Sequence, residues 1–313
     1  MKTKTLLFGA GESSKTYISN NETSREFIGI VDNDKQKEGL LIEGVPVISP
    51  AAIGHLVFDE IVITTQWAVE VEAQLLNELD VPHQKIVVPP KSHLKKQTPP
   101  FYNAASRQLG RNIISELSSI AINESVPLVL DFGTLLGIIR DKDIIEWDDD
   151  IDFSMPTHYF QSVLNVIEAF VENNVSNLTW KVSKTLDKKN RGIGIVLEFD
   201  DPLNNLAQFK TTFSAREVKD GKSIHLPSLG MWFAPEKHFN GTALVNWNTC
   251  QVQTPVQSSE YLAFLYGSDW NVPKKNITFT DYANTQVVEF SEFKDAGLRV
   301  ESDKKIDMSL VSK

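Results

Sequence analysis

The stretch that most constrains this chain is residues 128–155, LVLDFGTLLGIIRDKDIIEWDDDIDFSM. It opens on the apolar run Leu128-Val129-Leu130, which reads as a short buried strand ending in Asp131. Gly133-Thr134 then opens a short apolar helix over residues 135–140; glycine frees the turn and threonine suits an N-cap. Residues 147–153 read as a second strand. Alternation of side chains puts Asp148, Asp150 and Asp152 on one face, and Ile151, Phe153 and Met155 on the other with Asp149. Three carboxylates on one face repel one another: at ~4 Å and an effective dielectric of about 20, each ionised pair costs about 4 kcal/mol. A fold keeps such a cluster where a cation neutralises it, and hard oxygen ligands on a rigid strand suit Mg²⁺ or Mn²⁺. A helix N-terminus beside that metal suits a phosphate. The expectation is a nucleoside diphosphate site, with Asp148, Asp150 and Asp152 on the metal and Gly133 and Thr134 on phosphate. The alternative is an acidic surface loop, which the preceding strand, Gly-Thr turn and apolar helix weigh against.

Composition narrows the class of protein. At 313 residues the chain has room for two domains, and 41% hydrophobic with 23% charged residues is ordinary for a globular protein. A net charge of −10 argues against a nucleic-acid partner, which would want a basic patch. The single cysteine, Cys250, rules out an internal disulfide and fits a reducing cytoplasm. The apolar run at the N-terminus is too short for a signal peptide, and no apolar segment is long enough to span a bilayer. The expected location is cytoplasmic, with any contact to a membrane-bound acceptor peripheral.

The first ninety residues carry a different signature. Residues 5–8 read as a strand running into the turn Gly9-Ala10-Gly11, a helix begins near Ser14, and residues 27–31 form a second strand ending in Asp32. This is a Rossmann-like opening, with Gly9 and Gly11 placed to approach a nucleotide and Asp32 placed to bond a ribose hydroxyl. Ser14 stands where the usual fingerprint has its third glycine. Further strands at residues 45–48, 60–64 and 85–88, with a helix over residues 68–79, argue a parallel sheet. The alternative is a nucleotide-binding fold without a ligand, its glycines serving only the tight turn. Residues 89–100 are Pro-rich and basic and read as a semi-stiff linker. The expected domains are 1–90, a linker over 91–102, and a catalytic domain over 103–313.

Within the second domain, residues 105–121 carry apolar side chains at helical spacing, and another helix starts after Pro156-Thr157. Residues 192–199 alternate as a strand with Glu198 on one face, and residues 207–213 read as another strand. Residues 219–254 show no clear period. Residues 259–266 read as a helix closed by Gly267, and residues 302–313 as a loose polar tail.

Gly133-Thr134-Leu135-Leu136-Gly137, Arg140 and Trp147-Asp148-Asp149-Asp150-Ile151-Asp152 closely resemble the signature of the LicD/fukutin family. A second match follows downstream at residues 261–270 with Pro273, so the resemblance spans roughly residues 104–273. Glu146 stands where the family usually has proline. The resemblance implies a nucleotidyltransferase-like fold and a phosphotransferase moving phosphocholine or a polyol phosphate from a CDP-linked donor to a saccharide or lipid-linked glycan. It implies catalytic roles for Asp150 and Asp152. Such sites usually add a third carboxylate from a neighbouring strand, for which Glu198 is the candidate and a strand-end salt bridge the alternative. Arg140 is either a phosphate contact or a partner of the acidic cluster. Residues 42–48 resemble the N-terminal nucleotide-sugar-binding domains of bacterial sugar acyltransferases. The expected fold is thus α/β plus α+β: a Rossmann-like parallel sheet followed by a nucleotidyltransferase-like mixed sheet. Rival functions are a nucleotidyltransferase making an activated sugar or alcohol, and a nucleotide-sensing scaffold.

Overall fold

The computed structural model describes residues 2–95, 98–174, 177–279, 282, 284–286 and 297–302. The expected polar tail lies outside the described residues from position 303 onward. The chain forms two compact units: Met1–Thr98 with Pro273–Tyr282, and Pro99–Val272 with Ala283–Lys313.

The first unit is built on strands β1 (Thr3–Phe8), β2 (Arg25–Val31), β3 (Leu41–Ile42), β4 (Val45–Ile48), β5 (Glu60–Ile63) and β6 (Ile86–Val87), in the order β3-β4-β2-β1-β5-β6. All pairings are parallel except the β3–β4 hairpin. The order β4-β2-β1-β5-β6, reversing direction at β1, is the Rossmann arrangement. Strand period divides the core between two faces. Leu6 and Phe8 pack on one side with helix α2 (Ala68–Asn77), and Leu7 packs on the other with Tyr17 and Ile18 of helix α1 (Glu12–Asn21). Residues 50–55 form a 3-10 segment between β4 and β5.

The stretch read as linker is divided between the units. Lys91–Leu94 forms a 3-10 turn that buries Leu94 in the first unit, and Pro100–Tyr102 forms another that buries Phe101 in the second. The returning segment binds the first unit through the Lys91 amide, which donates to the Ile277 carbonyl at 2.7 Å. Phe279 packs against both of that unit's apolar clusters.

The second unit begins with helix α3 (Ala104–Asn123), strand β7 (Val129–Leu130), helix α4 (Phe132–Arg140), strand β8 (Asp150–Pro156) and helix α5 (Phe160–Asn173). There follow strands β9 (Thr179–Leu186), β10 (Gly192–Asp200), β11 (Lys210–Lys219), β12 (Lys222–His225) and β13 (Phe233–Pro235). A hairpin of β14 (Ala243–Trp247) and β15 (Cys250–Thr254), helix α6 (Ser258–Tyr266) and strand β16 (Arg299–Ser302) complete the described elements. The mixed sheet runs β13-β12-β11-β10-β9-β16, with β8 parallel to β11 and β7 antiparallel to β8. Its buried face carries Ile151, Phe153 and Met155 of β8 and Phe213 of β11, and the Phe153 and Phe213 rings stack at 5.4 Å. Residues 219–254 lack a legible period because they are divided among short strands and 3-10 turns.

Candidate active site

The acidic run does not behave as one strand. β8 starts at Asp150, and Asp148 lies in a turn whose amide donates to the Ile145 carbonyl at 3.0 Å. Side-chain alternation therefore binds only Asp150 and Asp152, while Asp148 and Asp149 are placed by the preceding loop. The result differs from the expected trio: Asp148, Asp149 and Asp150 each bring a carboxylate oxygen within 4.8 Å of the others. Asp149, expected on the core side, is half-buried and faces that cluster. Asp152 keeps the face of Asp150 and accepts the Thr212 hydroxyl at 2.6 Å.

The loop carrying these carboxylates is anchored on several sides. Arg111 of α3 grips Asp143 with two hydrogen bonds, at 2.8 and 2.5 Å, and holds its carboxyl below the usual carboxylate range. Arg107 pairs with Glu146, giving the residue that replaces the family's proline a partner on α3. The Trp247 indole donates to the Lys142 carbonyl at 2.9 Å. The Arg140 guanidinium is bidentate to Asp141, at 2.8 and 2.7 Å, and lies 6.0 Å from the Trp147 ring centroid. It braces the loop at both ends.

α4 stands against this cluster. Its N-cap is Asp131, not Thr134. Thr134 lies inside the first turn, buried, and its hydroxyl oxygen accepts the Asp152 amide at 2.9 Å. Gly133 lies where any side chain would collide: a Cβ there would sit 2.1 Å from Asp148 Oδ2. The Asp148 carboxylate thus rests on the first turn of α4, where the helix dipole favours negative charge.

Beneath that turn lies a buried network that the sequence did not disclose. Asp131 is fully buried and accepts the Phe132 amide at 2.8 Å, the Ser154 hydroxyl at 2.5 Å, the Tyr261 hydroxyl at 2.7 Å, and Arg216 Nη2 and Nε at 2.7 and 3.1 Å. Burial alone would push its carboxyl up; Arg216 and these donors hold it below the usual range. Burial and the Asp131 charge push the Tyr261 phenol up. Arg216 lies 4.3 Å from the Phe239 ring centroid and 5.5 Å from that of Phe132. His225 packs edge-on against Phe132, and burial together with Arg216 lowers its pKa to about 3. Two signals were available in the sequence. Asp131 precedes a helix start, and Arg216 ends the alternation Thr212, Ser214, Arg216 opposite the apolar Phe213 and Ala215.

Glu198 sits on β10, one strand beyond β11, and its carboxylate is shared by Lys210 at 3.1 Å and Lys181 at 3.7 Å. The register sets Lys210 opposite Asp150. The pairing favours the salt-bridge alternative for Glu198.

In the first unit, Gly9 follows β1 with φ +113°, a conformation suited to glycine. Gly11 is the N-cap of α1. Asp32 is turned inward: it accepts the Ala10 amide at 2.7 Å, the Asp34 amide at 2.8 Å and the Lys37 ammonium at 3.0 Å. It braces the glycine turn from below. Ser14, at the third glycine's place, is buried and bonds Thr64 at 2.6 Å.

Known proteins resemble the two regions separately. Residues 1–87 match the family described as C2185-like, N-terminal, and residues 125–257 match LicD/FKTN/FKRP, nucleotidyltransferase domain. No curated protein matches the chain. Among solved structures, UDP-D-quinovosamine 4-dehydrogenase from Vibrio fischeri is 19% identical over 28% of this chain and 76% of its own, with a TM-score of 0.24. An oxidoreductase from Agrobacterium radiobacter in complex with NAD⁺, L-tartaric acid and magnesium is 11% identical over 82% of this chain and 80% of its own, with a TM-score of 0.22. Scores this low leave the fold to be read from the strand order itself. No described helix is long and apolar enough to cross a membrane. The LicD family that residues 125–257 match implies a phosphotransferase or glycan-modifying role in glycan biosynthesis.

Proposed function

We propose that the second unit is a metal-dependent phosphotransferase. It moves a phospho-alcohol, such as phosphocholine, ribitol phosphate or glycerol phosphate, from a CDP-linked donor to a saccharide hydroxyl during surface glycan synthesis in the cytoplasm. The observation that carries this reading is the convergence of the Asp148, Asp149 and Asp150 carboxylates within 4.8 Å, in a LicD family domain. Their chemistry fits a hard divalent cation: oxygen donors only, half-buried, on an anchored loop and a strand. Asp148, Asp149 and Asp150 would hold Mg²⁺ or Mn²⁺, with Asp152 beside them on the face of Asp150. A cation held there would supply positive charge to stabilise the departing CMP. Gly133 leaves the space in which Asp148 lies against α4. Thr134 and Thr212 fix Asp152 from its amide and its carboxylate. The first turn of α4 offers its positive end to a phosphate.

We further propose that any nucleotide taken by the first unit lies over Gly9 and Gly11, with Asp32 supporting that turn from beneath. The test of the main reading is the full chain incubated with CDP-choline, CDP-ribitol or CDP-glycerol and a saccharide acceptor, with and without Mg²⁺ or Mn²⁺. Release of CMP that needs the metal is expected. Release of diphosphate from a nucleoside triphosphate instead would point to a nucleotidyltransferase, and no metal-dependent release would overturn both.

A further inference from the structure

Asp152 is gripped through its backbone on both sides by the start of α4. The Asp131 amide donates to the Asp152 carbonyl at 3.0 Å, and the Asp152 amide donates to Thr134. The pitch of α4 against β8 therefore decides where the carboxylates of Asp150 and Asp152 point and how Gly133 meets Asp148. That pitch is fixed in turn by the Asp131 side chain, which collects donors from β8, β11 and α6 at once. Phe132, directly after it, is forced to φ +43°, in the left-handed region that a bulky side chain rarely adopts. Such a conformation persists only where its surroundings over-determine it. Here the surroundings are the His225 and Trp232 rings at 5.6 and 6.2 Å and the Arg216 guanidinium.

We infer that Asp131, Arg216 and Tyr261 are positioning residues, which seat α4 on β8 so that the acidic cluster binds its cation. Tyr261 links the downstream α6 to the start of α4 through the Asp131 carboxylate. This inference rests on the proposed metal site. An ion pair alone would not need all three: Arg216 puts two N–H donors on Asp131 Oδ2, Ser154 adds a hydroxyl to the same oxygen, and Tyr261 joins the Phe132 amide on Oδ1. With both oxygens engaged, the Asp131 carboxylate cannot rotate, and the helix start it caps cannot tilt.

The experiment is Mn²⁺ binding to the full chain, followed by electron paramagnetic resonance, alongside melting temperature and CMP release. Tyr261→Phe removes one oxygen from a buried site. It is expected to weaken Mn²⁺ binding ~10-fold or more, the scale seen when groups supporting metal ligands are lost. Arg216→Lys keeps the charge but loses the fork, so it is expected not to restore binding. Leu265→Ala, a buried apolar truncation on the same helix, is expected to lower the melting temperature and leave Mn²⁺ affinity at the wild-type value. If Tyr261→Phe fails to fold, Ser154→Ala removes a different donor from the same carboxylate and is expected to weaken binding likewise. Wild-type Mn²⁺ affinity in folded Tyr261→Phe or Ser154→Ala would overturn the inference. So would an equal loss in Leu265→Ala, which would make the network merely stabilising. Asp150→Asn separates the two layers of argument: if it binds Mn²⁺ as the wild type does, the metal site itself is misplaced.

Discussion

Gly133 is defined by the carboxylate it makes room for. Alanine there would bring a methyl group to 2.1 Å from Asp148 Oδ2, so either Asp148 or the first turn of α4 must move. Gly133→Ala is expected to cost about 1–3 kcal/mol, as overpacking does. It is also expected to weaken Mn²⁺ binding by an order of magnitude, read by melting and by metal titration; an unchanged affinity would remove Asp148 from the site. His225 gives a second prediction at this scale. Its pKa is lowered to about 3 in the folded protein, against an ordinary value of 6.5. Below pH 6.5 the unfolded chain takes up a proton that the folded one refuses, so stability falls as pH drops from 6.5 toward 3, by up to about 1.4 kcal/mol per pH unit. Melting curves between pH 7 and pH 4.5 should show this slope, and His225→Asn should flatten it.

Among the elements, the pair formed before α4 and on β11 carries the largest expected penalty. Asp131→Asn leaves the buried Arg216 without its counter-charge and is expected to cost about 3–5 kcal/mol, measured by denaturant unfolding. Glu198→Gln is the contrasting case. Its lysines are substantially exposed, so the change is expected to alter stability by less than about 1 kcal/mol and to leave Mn²⁺ affinity intact; a lost affinity would restore it as a ligand. The difference between these two residues shows what a sequence can disclose. Alternation and helical spacing are local, and they put the core faces of β8 and α3 inward and located β10 and α6. The pairing of Asp131 with Arg216 joins residues far apart in the chain, and no local period encodes it. The same limit explains the acidic run. Period two holds only once β8 has begun, so Asp149 joined Asp148 and Asp150 through the anchoring of a loop by Arg107, Arg111 and Trp247. Thr134 was visible as a helix-start residue, but its hydroxyl is directed to the Asp152 amide rather than to its own helix end.

On the scale of the whole molecule, the first unit is not a contiguous piece of sequence. Its apolar clusters are completed by Phe279, and its 91–94 turn is tied to Ile277. Phe279→Ala in the full chain is expected to destabilise the first unit by about 1–3 kcal/mol, less than a fully buried phenylalanine because Phe279 is only half-buried. A fragment ending at Thr98 should show the same deficit without any mutation. The measurement is the melting of each species followed by a probe in the first unit, and equal stability of fragment and full chain would contradict it. The returning segment also sets an order of events on the ribosome. Translation at ~5–20 residues per second takes roughly ten to forty seconds to carry the chain from Thr98 to Tyr282. For that interval the nascent Rossmann sheet waits with one of its covering pieces not yet made, while the sheet of the second unit is emerging. A chain stalled before Pro273 should therefore present a protease-sensitive first unit, and one stalled far enough beyond Tyr282 to free the segment from the exit tunnel should present a resistant one.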